Sequence, residues 1–198
     1  MNIHNKLILS DCDGAILDWQ WAFQIWMQER GYRLKEDADH HYDVYDMFHQ
    51  LSEIESKHLI KTFNESAAIG FMPALRDSVY YVKLLHELHG YQFRIITSLS
   101  KDANAQKLRD MNLRKTFGNA IETIVFLDTG ADKDEVLEPY RDSGLFWIED
   151  KYDNFKVGMK LGLKSILMEH GHNAHQDIIG GVGVKNWQEI YNYIVGGN

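Results

Sequence analysis

Five short apolar runs, each followed by a segment of helical character, constrain this chain more than any other feature. They are KLILS (6–10), FRIIT (93–97), TIVFLD (123–128), LFWIE (145–149) and SILM (165–168). Each is almost continuously apolar and lacks the strict alternation of a half-exposed strand. Such runs suit strands covered on both faces, as in a parallel sheet between helices. In PALRDSVYYVKLLHELHG (73–90), Leu75, Val79, Val82, Leu85 and Leu88 share one helical face, with Pro73 opening the helix and Gly90 closing it. Segments 101–115, 132–142, 152–162 and 186–195 also read as helices. Strands alternating with helices predict an α/β fold with a doubly wound parallel sheet and right-handed crossovers.

Residues 19–71 break the alternation. They are rich in aromatics and histidine, contain no strand-like run, and read as helices at about 20–30, 36–49 and 52–65. The expected organisation is an α/β core of residues 1–18 and 72–198, with 19–71 inserted as a helical cap. Trp21, Trp26, Phe48 and Phe63 are most simply that cap's own small core.

Composition narrows the function. A net charge of −8 argues against nucleic acid or an anionic membrane as partner. The single cysteine, Cys12, excludes an intrachain disulfide and suits a reducing compartment, so a cytoplasmic location is expected. The N-terminal stretch MNIHNKLILSDCDG does not read as a signal peptide, because its apolar run is short and meets acids at once. No apolar run approaches the ~18 residues of a membrane span.

The polar residues at the strand ends carry the chemistry, because in an open α/β sheet these ends line the ligand crevice. The first strand ends in Asp11 and Asp13, followed by Gly14. The second ends in Thr97 and Ser98. The third ends in Asp128, with Lys133 soon after. The fourth ends in Glu149 and Asp150. Clustered carboxylates require a hard cation with oxygen ligands, and Mg²⁺ is the cellular default. Hydroxyls and a lysine beside Mg²⁺ suit a phosphate. The cation then cancels the repulsion between Asp11 and Asp13, and one acid is free to act as a nucleophile.

On these residues the chain resembles the haloacid dehalogenase-like phosphohydrolase superfamily along essentially its whole length. DCDG is similar to the first motif of that family, RIITS to the second, Lys133 to the third and WIEDKYDN to the fourth. DCDGAILDW, FMPALRDSVYYVKLLHELHGYQFRIITS and IEDK are most similar to the 5'(3')-deoxyribonucleotidase branch, with Ala15 where Val or Thr is usual and Glu149 where Asp is usual. The resemblance implies a Rossmann-like core with a type-one helical cap. It also implies a Mg²⁺-dependent phosphomonoesterase that works through an aspartyl-phosphate.

In that reading Asp11 is the nucleophile and Asp13 the general acid and base. Asp11, Asp13 through its main-chain carbonyl, Asp150 and Glu149 hold the metal. Lys133 and Thr97 complete the catalytic set. Gly14, Ser98 and Trp19 bind substrate, Gly14 by bringing amide groups to the phosphate and Trp19 by stacking on a base. The expected substrate is a nucleoside monophosphate, in a protein that could dimerise. Another small phosphate ester, such as a sugar phosphate, is the alternative, and a non-catalytic binding relative the second. Asp128 reads as a turn former, Cys12 as packed, and His170, His172 and His175 as a solvated loop with no metal-site spacing. Either Asp153 or Asn154 is expected to orient Lys133 or a metal-bound water.

Overall fold

The computed structural model describes residues 6–196. The expectation about the extreme N-terminus concerns residues largely outside that range. Strands β1 (Leu7–Ser10), β2 (Gln92–Ser98), β3 (Ile121–Leu127), β4 (Phe146–Glu149), β5 (Lys164–Met168) and β6 (Val182–Val184) form one sheet in the order β3-β2-β1-β4-β5-β6. All neighbouring pairs are parallel. The first five match the apolar runs to within two residues. β6 was not expected, since its VGV lies in the glycine-rich stretch IIGGVGV and carries almost no strand signal.

Side chains alternate across the sheet. Ile8, Phe93, Ile95 and Ile148 pack on one face with α4 (Ser78–His89), α5 (Ala103–Phe117) and α8 (Trp187–Gly196). Leu9, Ile96 and Trp147 pack on the other, against α6 (Asp134–Leu137) and α7 (Tyr152–Lys160). The helix boundaries have local causes. Asp102 caps α5 by accepting from the Ala105 amide at 2.7 Å. Gly90 ends α4 in the left-handed region at φ +72°. Asp77 precedes α4 but caps α8 instead, accepting from the amides of Trp187 at 2.9 Å and Gln188 at 3.0 Å.

Between β1 and α4 lie α1 (Trp19–Gln28), α2 (Val44–Met47) and α3 (Glu53–Asn64). Asp18 caps α1 through the Trp21 amide, and Ser52 caps α3 through the Glu55 amide. The helix expected over 36–49 does not form. That stretch contains a three-ten turn at Ala38–His40 and then the four-residue α2. Its sequence, EDADHHYD, is rich in Asp side chains that favour turns over helix interiors.

Pro73 likewise does not open a helix. Its carbonyl accepts from the Asp18 amide at 2.9 Å, Leu75 donates to the Ile16 carbonyl at 2.9 Å, and Leu17 bridges Ala74 in antiparallel fashion. The chain entering this helical segment and the chain leaving it are therefore zipped into a short two-stranded neck. No helix among the described residues is long and apolar enough to cross a membrane.

Candidate active site

In the observed strand order the chain departs from β1 in opposite directions, to β2 on one side and β4 on the other. The crevice beyond the carboxyl ends of β1 and β4 is where such a sheet binds ligands. A cavity of about 280 Å³ opens there, lined among others by Asp11, Asp13, Lys133, Asp150 and Trp19. The Asp11 amide donates to the Ile148 carbonyl at 2.8 Å, which ties the two strand ends together.

Lys133, only 2% exposed, stands behind the acids with Nζ 2.8 Å from Asp11 Oδ1 and 2.7 Å from Glu149 Oε1. Glu149 is fully buried. It also accepts from Asn154 Nδ2 at 2.6 Å and from the amides of Asp150 and Lys151, each at 2.7 Å. Burial works against its charge, but Lys133 and these donors hold the Glu149 carboxyl below the usual range. Asp11 and Asp150 differ. Burial pushes Asp11 up to about 7 against the pull of Lys133, with the charges of Glu149 and Asp13 adding to the rise. Burial, followed by the charges of Glu149 and Asp11, holds Asp150 well above its ordinary value. One lysine thus faces three buried or half-buried carboxylates, which is the condition that a bound cation relieves.

Asp11, Glu149 and Asp150 offer carboxylate oxygens that all lie within 4.8 Å of one another. Among the described residues this is the one such acidic or histidine cluster. The donor set fits a hard, oxygen-seeking cation. Glu149 also takes four protein hydrogen bonds, so it braces the cluster as well as belonging to it. Glu149 stays within reach of the same cation as Asp11 and Asp150.

Gly14 has a role the sequence did not indicate. Its φ is +72°, and a Cβ placed there would lie 2.2 Å from Asp150 Oδ2. Its amide donates to the Leu17 carbonyl at 2.9 Å, so it does not point to a phosphate as expected. The glycine makes room for the Asp150 carboxylate.

Thr97 and Ser98 exchange places. β2 sends Ile95 and Thr97 to the face shared with Cys12, while Ile96 and Ser98 share the face of Leu9 and Asp11. Thr97 is fully buried, its hydroxyl has no partner, and it does not line the cavity. Ser98 lines the cavity and donates to the Ala131 carbonyl at 2.9 Å. The hydroxyl on the cavity wall is therefore that of Ser98, with its proton engaged by Ala131, while the Thr97 hydroxyl lies just beneath it.

Trp19 lines the cavity while stacking on Phe23 at 4.7 Å between centroids and meeting Phe63 edge-on at 5.6 Å. Its indole N–H donates to Asn64 Oδ1 at 2.9 Å, and Asn64 Nδ2 donates to the Leu99 carbonyl. Trp21, expected in the core of the helical segment, instead turns outward and is half exposed, because the helical period that buries Phe23 and Trp26 carries it to the other side.

The histidine loop is not solvated as expected. His170 Nε2 lies 2.7 Å from the Gly14 carbonyl, and its ring stacks on His172. Burial, with His170 adding to it, pushes His172 down to about 4; neither ring nitrogen has a hydrogen-bond partner, and Nε2 lies 3.9 Å from Asp150 Oδ2. His175 remains exposed. Asp128 accepts from the Thr129 amide at the surface, as a turn former does. Asn154 steadies Lys133 through Glu149, while Asp153 pairs with Lys156 at the surface.

Sequence reasoning missed Arg109. It is fully buried, with Nη1 2.5 Å from Asp13 Oδ1 and 2.8 Å from Cys12 Sγ. Its signal was present: Ala105, Arg109, Asn112 and Leu113 have the spacing of a buried helical stripe, into which an arginine intrudes. Cys12 is packed, as expected, and burial pushes its thiol up.

No protein-family model and no curated protein matches this sequence. Solved structures do. YfnB from Bacillus subtilis, solved with magnesium bound, superposes with a TM-score of 0.61 at 16% identity over 96% of this chain and 99% of its own. SP0104 from Streptococcus pneumoniae, a hydrolase of the haloacid dehalogenase-like family, gives 0.64 at 13% identity over 96% and 99%. CbbY from Rhodobacter sphaeroides, in complex with phosphate, gives 0.59 at 13% identity over 93% and 96%. At these identities the likeness establishes the fold: the chain is built on the α/β scaffold of haloacid dehalogenase-like hydrolases.

Proposed function

We propose that the protein is a Mg²⁺-dependent phosphoric monoester hydrolase that forms an aspartyl-phosphate on Asp11. The observation that carries this reading is the position of Asp11, at the switch point of the sheet, held by Lys133 and beside Asp150, their carboxylate oxygens within 4.8 Å on the wall of a 280 Å³ cavity. The magnesium in YfnB and the phosphate in CbbY, on the same fold, support it.

Asp11, Asp150 and the main-chain carbonyl of Asp13 would hold the cation, with Glu149 bracing the set. When bound, Mg²⁺ neutralises the carboxylates and the phosphate charge that develops between them. The protein's own residues do the rest. An Asp11 oxygen forms a bond to phosphorus as the ester P–O bond breaks, and the electron pair of that bond leaves with the alkoxide. Asp13 gives that alkoxide a proton. It then takes a proton from the water whose oxygen attacks phosphorus, and the bond to Asp11 breaks, returning the carboxylate and inorganic phosphate. Lys133 lets the anionic nucleophile and the phosphate approach, and Ser98 positions a phosphate oxygen.

Within this class we favour (deoxy)nucleoside 5'-monophosphates, because Trp19 offers the cavity an aromatic wall and base stacking contributes about 1–3 kcal/mol. The helical segment 19–71 then serves as the cap that reads the leaving group. A sugar phosphate is the second reading, favoured by the CbbY complex with xylulose-1,5-bisphosphate. Phosphate release from a panel of monophosphates, with Mg²⁺ and with EDTA, tests the class and the substrate together. Release that survives EDTA, or that Asp11→Asn does not abolish, overturns the mechanism. Preference for sugar phosphates overturns the nucleotide assignment alone.

A further inference from the structure

Arg109 reaches the site from the opposite face of the sheet. It is fully buried on α5, and its one carboxylate partner among the described residues is Asp13, whose side chain is 25% exposed at the cavity. The contact is lopsided: Nη1 lies 2.5 Å from Oδ1, while Nη2 lies 3.4 Å from Oδ2. The guanidinium is itself fixed, since Nη1 also reaches Cys12 Sγ at 2.8 Å and Nη2 reaches Met72 Sδ at 3.5 Å. A planar fork held at several points fixes the orientation of its carboxylate in a way that a flexible ammonium does not. A buried arginine is also costly unless it is paired, so this geometry is strongly determined.

We infer that Arg109 is a positioning residue for proton transfer: it pins Oδ1 of Asp13 and leaves Oδ2 as the atom that exchanges the proton with the leaving group and the water. The inference rests on the phosphatase reading above and adds to it a residue, a contact and a specific oxygen. Without the pin the Asp13 side chain turns among its rotamers, and Oδ2 is in place for only part of the time. The chemistry at Asp11 does not depend on that pin. The loss therefore falls on substrates whose leaving group needs a proton.

Two aryl phosphates of similar shape separate these effects. Nitrophenolate leaves readily without a proton. Phenolate, about as basic as a tyrosine side chain at pKa ~10, benefits from one. In Arg109→Met, kcat/KM for phenyl phosphate is expected to fall at least ~10-fold more than for p-nitrophenyl phosphate, the lower part of the range for general acid catalysis. Arg109→Lys should restore part of the difference. In an Asp13→Asn background, Arg109→Met should change the ratio no further, and that double variant also avoids a buried unpaired charge if the single one folds poorly. Equal losses on both esters, or a ratio that still shifts in the Asp13→Asn background, would overturn the assignment of Arg109. No selective loss in Asp13→Asn itself would remove Asp13 as the proton donor, and the inference with it. Absence of hydrolysis of either ester by the wild-type protein would instead reject the phosphatase reading on which both rest.

Discussion

Glu149 holds Lys133 from behind at 2.7 Å, so that the lysine presents its remaining donors to Asp11. The glutamate accepts from four donors and is shielded from solvent. Its length is what allows this. An aspartate at the same place would end one methylene short of Lys133 and Asn154.

The first prediction follows from that relationship. Glu149→Gln places an NH₂ group against groups that are themselves donors and leaves Lys133 without its rear partner. Breaking a buried pair costs about 3–5 kcal/mol. Urea denaturation should register a loss of that order, and phosphatase activity should fall with it. A variant as stable as wild type would mean that Lys133 finds its compensation elsewhere.

Burial of Asp11, with the neighbouring acids adding to it, predicts an unusual pH dependence. The folded Asp11 carboxyl sits at about 7, above its unfolded value near 3.8, so between these limits the native state holds more protons than the unfolded state. Stability then falls as pH rises from about 4 to about 7. In EDTA the melting temperature should be higher at pH 5.5 than at pH 8, and Asp11→Asn should flatten the difference while abolishing turnover. Added Mg²⁺ should restore stability at pH 8 in the wild type and do so less in the variant. A metal-free melting temperature that rises across this range would count against a raised Asp11 carboxyl.

Gly14→Ala tests the space left for Asp150. The new methyl group would fall where the Asp150 carboxylate lies, in a backbone conformation that costs a non-glycine residue about 1–2 kcal/mol. Calorimetric titration with Mg²⁺ should show affinity reduced at least ~10-fold, by analogy with the loss of a supporting contact around a metal. Unchanged affinity would separate Gly14 from the metal site.

Trp19→Ala carries two consequences. Loss of the stacked and edge-on contacts with Phe23 and Phe63 should cost about 3 kcal/mol, toward the low end for a partly buried tryptophan. If Trp19 also stacks on a base, kcat/KM for nucleoside monophosphates should fall roughly 10- to 100-fold, with a smaller loss on p-nitrophenyl phosphate. Equal losses on both would assign Trp19 to packing alone.

The strands and their order of chemistry were legible because continuous apolar runs and acids at their ends are local signals. That Asp11, Lys133 and Asp150 meet in space was readable from their positions at successive strand ends. What could not be read was which way a side chain faces where two candidates adjoin. Thr97 and Ser98 are equivalent as letters and opposite in space, and only the register of β2 against β1 separates them. Arg109 and Asn64 were hidden for a different reason. Each acts through a contact distant in sequence, and a polar residue on an amphipathic helix carries no mark of its partner. The helix expected over 36–49 does not form because the lack of a strand-like run is not itself a helix signal, and the aspartates there favour turns.

The two-stranded neck at Ile16–Asp18 and Pro73–Leu75 bears on mechanics. Separate tethers would let the helical segment slide, tilt and rotate almost independently of the sheet. A hydrogen-bonded ribbon resists shear between its strands and yields mainly by bending or twisting along its length. Access to the cavity is then set by the bending of this ribbon together with the bonds of Asn64 to Leu99 and of Ser100 to Glu65 on the far side of the segment. Trp19 begins immediately beyond it, so an angular change at the ribbon moves the aromatic wall through a short arc instead of carrying it away from Asp11.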